Sequence, residues 1–210
     1  MTYLALDRLA QAPLDPDPYP HVLLREFVPP EHRAAISASF PKVPGAGSHP
    51  PSALRLEGPF SALMAELTSL AFRQAVEQKF AIDLAGRPQT YTVRGFLDAK
   101  DGAIHRDSDT KLVTVLLYLN DNWNAEGGRL RLLRSATDME DYTAEVPPDF
   151  GTLLIFLPAK NTWHGHKPFA GPRRTIQTNW VTDASVARRE MTRHHVSTTI
   201  KKITHLVKAH

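Results

Sequence analysis

The sequence predicts an α+β fold whose β part is a barrel or sandwich. Helical periodicity comes first in the chain, ahead of the β region. From residue 89 onward come six short segments rich in β-branched and apolar residues, with turn signals and no helix between them. The chain of 210 residues is long enough to bury one sizeable core.

The elements follow in order. Residues 11–30 carry Pro13, Pro16, Pro18, Pro20, Pro29 and Pro30, which leaves irregular chain around one short strand at 21–27. Pro30 suits the first turn of a short helix over 31–40. PKVPGAGSHPP, residues 41–51, can be neither helix nor central strand, so it is a long loop that could border a site. Phe60, Leu63, Leu67, Leu70, Val76 and Phe80 recur mostly at helical spacing, which predicts one amphipathic helix or two over 59–80. Strands are expected at 91–97, 111–120, 128–133, 142–146, 151–157 and 174–181. The turns between them are KDG, NDNWNAEGG, PPDFG and FAGP. There is no internal repeat.

After Asp183 the chain turns basic. Val196, Ile200, Ile203 and Val207 recur at helical spacing, which predicts a C-terminal helix docked on the body or on a second subunit. A solvated basic face is favoured there over a nucleic-acid or anionic-surface role.

Composition narrows the chemistry. No cysteine means no disulfide, no iron–sulfur cluster, no thiolate-held zinc and no thiol nucleophile. A formal net charge of +3 argues for no particular polyanionic partner, so no nucleic acid is expected. The N-terminus lacks the pattern of a signal peptide and no run is long enough to span a bilayer, so a cytoplasmic location is expected.

The chemistry concentrates in two stretches. In AIHRDSDTKLVTVLLYLN, His105 and Asp107 are one residue apart and share a side of an extended chain. In NTWHGHKPFAGPRRTIQTNWV, His164 supplies a second imidazole. Two imidazoles and one carboxylate cover one face of an octahedral metal and leave the opposite positions open, as in non-haem Fe(II) oxygenases. The same ligands could hold zinc for hydrolysis, but no Glu stands next to them as a general base. Ten residues after His164 comes Arg174, a natural fork for a carboxylate. Alternation places Arg174, Ile176, Thr178 and Trp180 on one strand face.

With these residues in place, the chain resembles the Fe(II)/2-oxoglutarate-dependent dioxygenases, in their prolyl-4-hydroxylase-like branch. The resemblance runs from about Tyr91 to Val181 and is collinear: His105-Arg106-Asp107, then VTVLLYLN, GGRLRLL, FGTLLIF, and His164 followed by Arg174 and Trp180. It implies a double-stranded β-helix (jelly-roll, cupin-like) core over 89–182. Residues 1–88 would be helical and loop support packed on the major sheet, and 183–210 a basic C-terminal segment with a short helix, all within a single domain spanning 1–210.

It also implies Fe(II) on His105, Asp107 and His164, with 2-oxoglutarate as cosubstrate and O₂ as oxidant; ascorbate would be a supporting reductant. Arg174 and Tyr118 would take the distal carboxylate, Thr114 and Trp180 would lie around the cosubstrate, and Lys111 would stand at the substrate mouth. Arg173 and His166 sit beside the chosen residues as alternatives; spacing favours Arg174 and His164. The implied reaction is hydroxylation of a C–H bond in a small-molecule or peptidyl acceptor, with release of succinate and CO₂. The runner-up is a cupin-like metal-binding protein without oxygenase activity, which would have no need of an arginine–tyrosine pair.

Overall fold

The computed structural model describes residues 2–189 and Thr192. The expected C-terminal stripe of Ile200, Ile203 and Val207 lies outside the described residues.

The helical half comprises α1 (Leu6–Gln11), α2 (Arg33–Ala38), α3 (Gly58–Leu67) and α4 (Leu70–Phe80). The apolar periodicity over 59–80 is two helices, because Ser69 is extended and caps the second one; its hydroxyl accepts from the Phe72 amide at 3.1 Å. Residue Ala81, in the left-handed region, ends that helix. Helix α1 and a 3₁₀ turn at Pro30–His32 were not foreseen. Residues 184–189 are also helical.

Eight strands are present: β1 (His21–Leu24), β2 (Gln89–Leu97), β3 (Lys111–Tyr118), β4 (Leu130–Leu133), β5 (Tyr142–Val146), β6 (Leu153–Phe156), β7 (Trp163–Gly165) and β8 (Gly171–Val181). Of the seven expected, β1, β3, β4 and β6 are shorter, β2 and β8 begin earlier, and β5 matches; β7 is additional. The five-stranded major sheet runs β1-β6-β3-β8-β2, and the minor sheet runs β5-β4-β7, with antiparallel ladders throughout. This is the double-stranded β-helix, two facing antiparallel sheets with helices on the outer side of the larger one.

Alternation sorts the side chains of the major sheet into two sets. Val113, Val115, Leu117, Leu153, Ile155, Ile176 and Trp180 face the helices and join Phe60, Leu63, Phe72 and Val76 in one core. Leu116, Tyr118, Leu154 and Phe156 point the other way and meet Leu130, Leu132 and Val146 of the minor sheet. Burial on both faces explains why strands β3 and β6 read as unbroken apolar runs. Among the described residues no helix is long and apolar enough to cross a membrane.

Candidate metal and carboxylate site

The space between the sheets opens into a cavity of about 370 Å³. His105 and Asp107 lie on the connection between β2 and β3, and His164 lies on β7, a three-residue strand that alternation rules did not reveal. Two reciprocal backbone bonds join the ligand segments: the His105 amide donates to the His164 carbonyl at 3.0 Å, and the His164 amide to the His105 carbonyl at 2.9 Å. The imidazoles therefore stand side by side, with ring centroids 4.4 Å apart. One donor atom from each of His105, Asp107 and His164 falls within 4.8 Å of the others.

The surroundings prepare these atoms for a cation. The Nδ1 of His105 is 2.9 Å from the Ala103 carbonyl, and that of His164 is 2.9 Å from the Thr162 carbonyl. A carbonyl can only accept, so each Nδ1 carries a proton, which leaves Nε2 as the ligating position. Burial pulls the His164 pKa down to about 4, which keeps the ring neutral near pH 7. Burial alone would raise the Asp107 pKa, but Lys111, His164 and Thr114 outweigh it and hold the carboxyl below its ordinary range. The donor set thus fits a divalent metal such as Fe(II): two imidazole nitrogens and one carboxylate oxygen.

The other expected site residues divide. Thr114 donates its hydroxyl to Asp107 Oδ2 at 2.6 Å, and Lys111 Nζ lies 2.7 Å from Asp107 Oδ1. Both therefore orient the carboxylate: Thr114 is not on the cavity wall, and Lys111 has only 14% of its side chain exposed rather than reaching out from the mouth. Tyr118 lines the cavity as expected. Trp180 does not: it is buried on the helix side against Phe72, centroids 5.9 Å apart. Arg174 is corrected too. It does share a face with Ile176 and Trp180, but that face points away from the cavity, and its guanidinium rests 4.9 Å over the Phe40 ring.

Arg173 is the guanidinium in the cavity. It is 5% exposed and shares its face with Thr175 and Gln177, while its Nη2 lies 3.4 Å from the Tyr118 hydroxyl. Its Nη1 contact to Thr175 is also 3.4 Å, and its Nε has no partner at all. A buried cation held only by long bonds, with one donor orphaned, is costly unless an anion completes it. Burial raises the Tyr118 pKa, with Arg173 opposing, so the hydroxyl remains a donor at neutral pH.

A signal for this parity was present in the sequence. Ile176 and Trp180 are apolar and belong to the core face, whereas Thr175, Gln177 and Asn179 are polar and mark the cavity face that Arg173 shares. Sequence reasoning also missed Arg94 of β2, which enters the same cavity. His166 lines the cavity as well, but stands outside the ligand cluster; its Nδ1 is 2.9 Å from the Lys167 carbonyl. Its ring packs so closely on Gly102 that a Cβ there would lie 2.3 Å from Nδ1, and Gly102 has φ +100, so the turn needs glycine twice over.

Comparison with known proteins agrees with this geometry. Residues 89–182, which hold every cluster ligand and Arg173, match the model of the 2OG-Fe(II) oxygenase superfamily. The resemblance read from the sequence therefore agrees with the family match, which covers less than half of the chain, and with the His-Asp-His cluster.

Similar solved structures include a prolyl 4-hydroxylase from Phytophthora capsici, with 17% identity, 89% of this chain and 68% of that one covered, and TM-score 0.54. A 2OG-Fe(II) oxygenase family oxidoreductase from Burkholderia pseudomallei shares 12% identity over 84% of this chain and 90% of that one, TM-score 0.53. A prolyl hydroxylase from Trichoplax adhaerens, solved with a hypoxia inducible factor peptide fragment, shares 17% identity over 90% of both chains, TM-score 0.50. At these identities the likeness is one of fold. No curated protein matches the chain.

Proposed function

We propose that the protein is a 2-oxoglutarate- and Fe(II)-dependent hydroxylase acting through residues 1–210 as a single domain. The observation that carries this reading is the buried, incompletely bonded Arg173 beside Tyr118, in one cavity with the His105–Asp107–His164 cluster. A protein that merely binds a metal has no need of that guanidinium.

Fe(II) would be held by the Nε2 atoms of His105 and His164 and by Asp107. When bound it supplies O₂ activation and the oxidation of the acceptor C–H bond. The net change is 2-oxoglutarate, O₂ and R–H to succinate, CO₂ and R–OH, with ascorbate as a supporting reductant. The residues do the positioning. Arg173 takes the distal carboxylate of 2-oxoglutarate, and the Tyr118 hydroxyl donates a second bond to it. Lys111 and Thr114 hold Asp107 in one orientation, as the outer partners of metal ligands do. Apolar Leu116 and Leu130 keep part of the cavity wall dry, which strengthens each charged contact inside. The acceptor is a small molecule or a peptidyl group.

Binding of 2-oxoglutarate by calorimetry, with Mn(II) in place of Fe(II), tests the reading alongside succinate formation under air. Metal-dependent 2-oxoglutarate binding that is lost in Arg173→Gln is expected. Metal binding with no affinity for 2-oxoglutarate would favour the cupin-like binding protein instead.

A further inference from the structure

Arg94 is a second guanidinium in the cavity, and the reading above leaves it without a role. It extends from β2, where it pairs with Thr175 of β8, so it lies diagonally across the ladder from Arg173. It sits toward the mouth. One Nη donates to the Ser48 hydroxyl at 3.1 Å, from the loop before α3, and the other makes a stretched 3.4 Å contact with Asp101. Asp101 Oδ2 meanwhile accepts the Asp98 amide at 3.0 Å, so the carboxylate is shared. Lys100, largely in water, borders the same opening.

Charge balance gives the arrangement its meaning. Arg94, Lys100 and Arg173 line the cavity against two carboxylates, Asp101 and Asp107. A divalent metal and doubly charged 2-oxoglutarate cancel one another, and Lys111 already sits on Asp107. At the mouth Lys100 has Asp98 at 3.8 Å, which leaves Arg94 facing only the shared Asp101 carboxylate, at a stretched 3.4 Å. A neutral acceptor would leave the partly desolvated Arg94 with only its stretched pair.

We propose that the acceptor substrate carries a carboxylate, and that Arg94 binds it with help from Ser48, displacing Asp101. This rests on the cosubstrate reading for Arg173. In effect the cavity has two carboxylate forks, a deep one for the cosubstrate and an outer one for the acceptor. The acceptor would then be a free acid, and a peptide would qualify only through a terminal or side-chain carboxylate.

The test uses the full chain loaded with Mn(II) and saturating 2-oxoglutarate, which occupies the inner fork. Binding is measured for matched acid and amide probes: N-acetyl-L-proline and N-acetyl-L-prolinamide, butyrate and butyramide, benzoate and benzamide. At least one acid should bind about tenfold or more tightly than its amide. Arg94→Gln should abolish that preference with 2-oxoglutarate affinity unchanged, and Asp101→Asn should strengthen acid binding by removing the competitor. Three results would overturn the proposal. No acid is preferred; or Arg94→Gln weakens 2-oxoglutarate itself, which makes Arg94 part of the inner fork; or Asp101→Asn loses acid binding as fully as Arg94→Gln, which makes the pair a loop tether. Failure of wild type to bind 2-oxoglutarate would instead strike the underlying reading, and that is measured first.

Discussion

The two faces of the major sheet are built from the same strands and obey opposite rules. The helix-side face is apolar and closed: Val113, Val115, Leu117, Ile155, Ile176 and Trp180 are all 2% exposed or less. The inner face, one residue out of step, carries Thr114, Tyr118, Arg173 and Thr175, polar groups that are also buried. The first face lowers free energy by removing apolar surface from water. The second holds a cation with an orphan donor and a carboxylate with two donors upon it. Apolar packing resides on one side of the strand and the candidate site on the other, and a shift of one residue exchanges them.

Substitutions can break or sharpen that contrast. The largest effect belongs to the metal ligands. His105→Ala, Asp107→Ala and His164→Ala should each abolish metal binding and turnover, whereas His166→Ala should retain most of both. Metal analysis with succinate assays checks this, and loss of metal in His166→Ala with retention in His164→Ala would shift the ligand assignment by two.

Next comes the direct comparison across β8. Arg173→Gln should weaken 2-oxoglutarate by about 2–5 kcal/mol, or well over tenfold. It should leave the melting temperature of the unloaded protein unchanged or raise it, since it removes a buried charge that has only stretched hydrogen bonds and no carboxylate among the described residues. Trp180→Ala should do the reverse. It opens a cavity at a cost of about 3–5 kcal/mol of stability, while 2-oxoglutarate affinity of the folded fraction is kept. Similar profiles for the two variants would mean the faces are not functionally separate.

Smaller effects grade the inner face. Tyr118→Phe should cost about 1 kcal/mol in 2-oxoglutarate affinity, one hydrogen bond's worth. Arg174→Ala should leave that affinity unaltered and reduce stability by less than about 1 kcal/mol, from its contact over Phe40. An Arg174→Ala effect equal to that of Arg173→Gln would reverse the strand register seen here.

Several features were readable from residue order alone. Strand positions came from apolar runs set between turn signals, the helical region over 59–80 from 3.6-residue periodicity, and the candidate ligand pair from the one-residue step between His105 and Asp107. These are local patterns, and local sterics enforce them. The short strand β7 was not readable, because three residues carry no periodicity; it exists through its pairing with β4 and its bridge to His105.

Which of two adjacent arginines enters the cavity was likewise a tertiary decision. Arg173 and Arg174 are chemically identical and point oppositely. Their parity depends on how β8 pairs with β3 and β2, where β2 is irregular between Arg94 and Phe96. The Arg174 amide donates to Asn120 Oδ1 at 2.6 Å, which helps fix that end of the strand. Lys111 shows the same division. The resemblance put it at the substrate mouth, and only the fold brings its ammonium onto Asp107. Residue order thus showed which candidate ligands the chain carries and where along it they fall. Only the tertiary structure decided which side chains share the cavity, because a pleated strand offers both faces equally until its neighbours set the register.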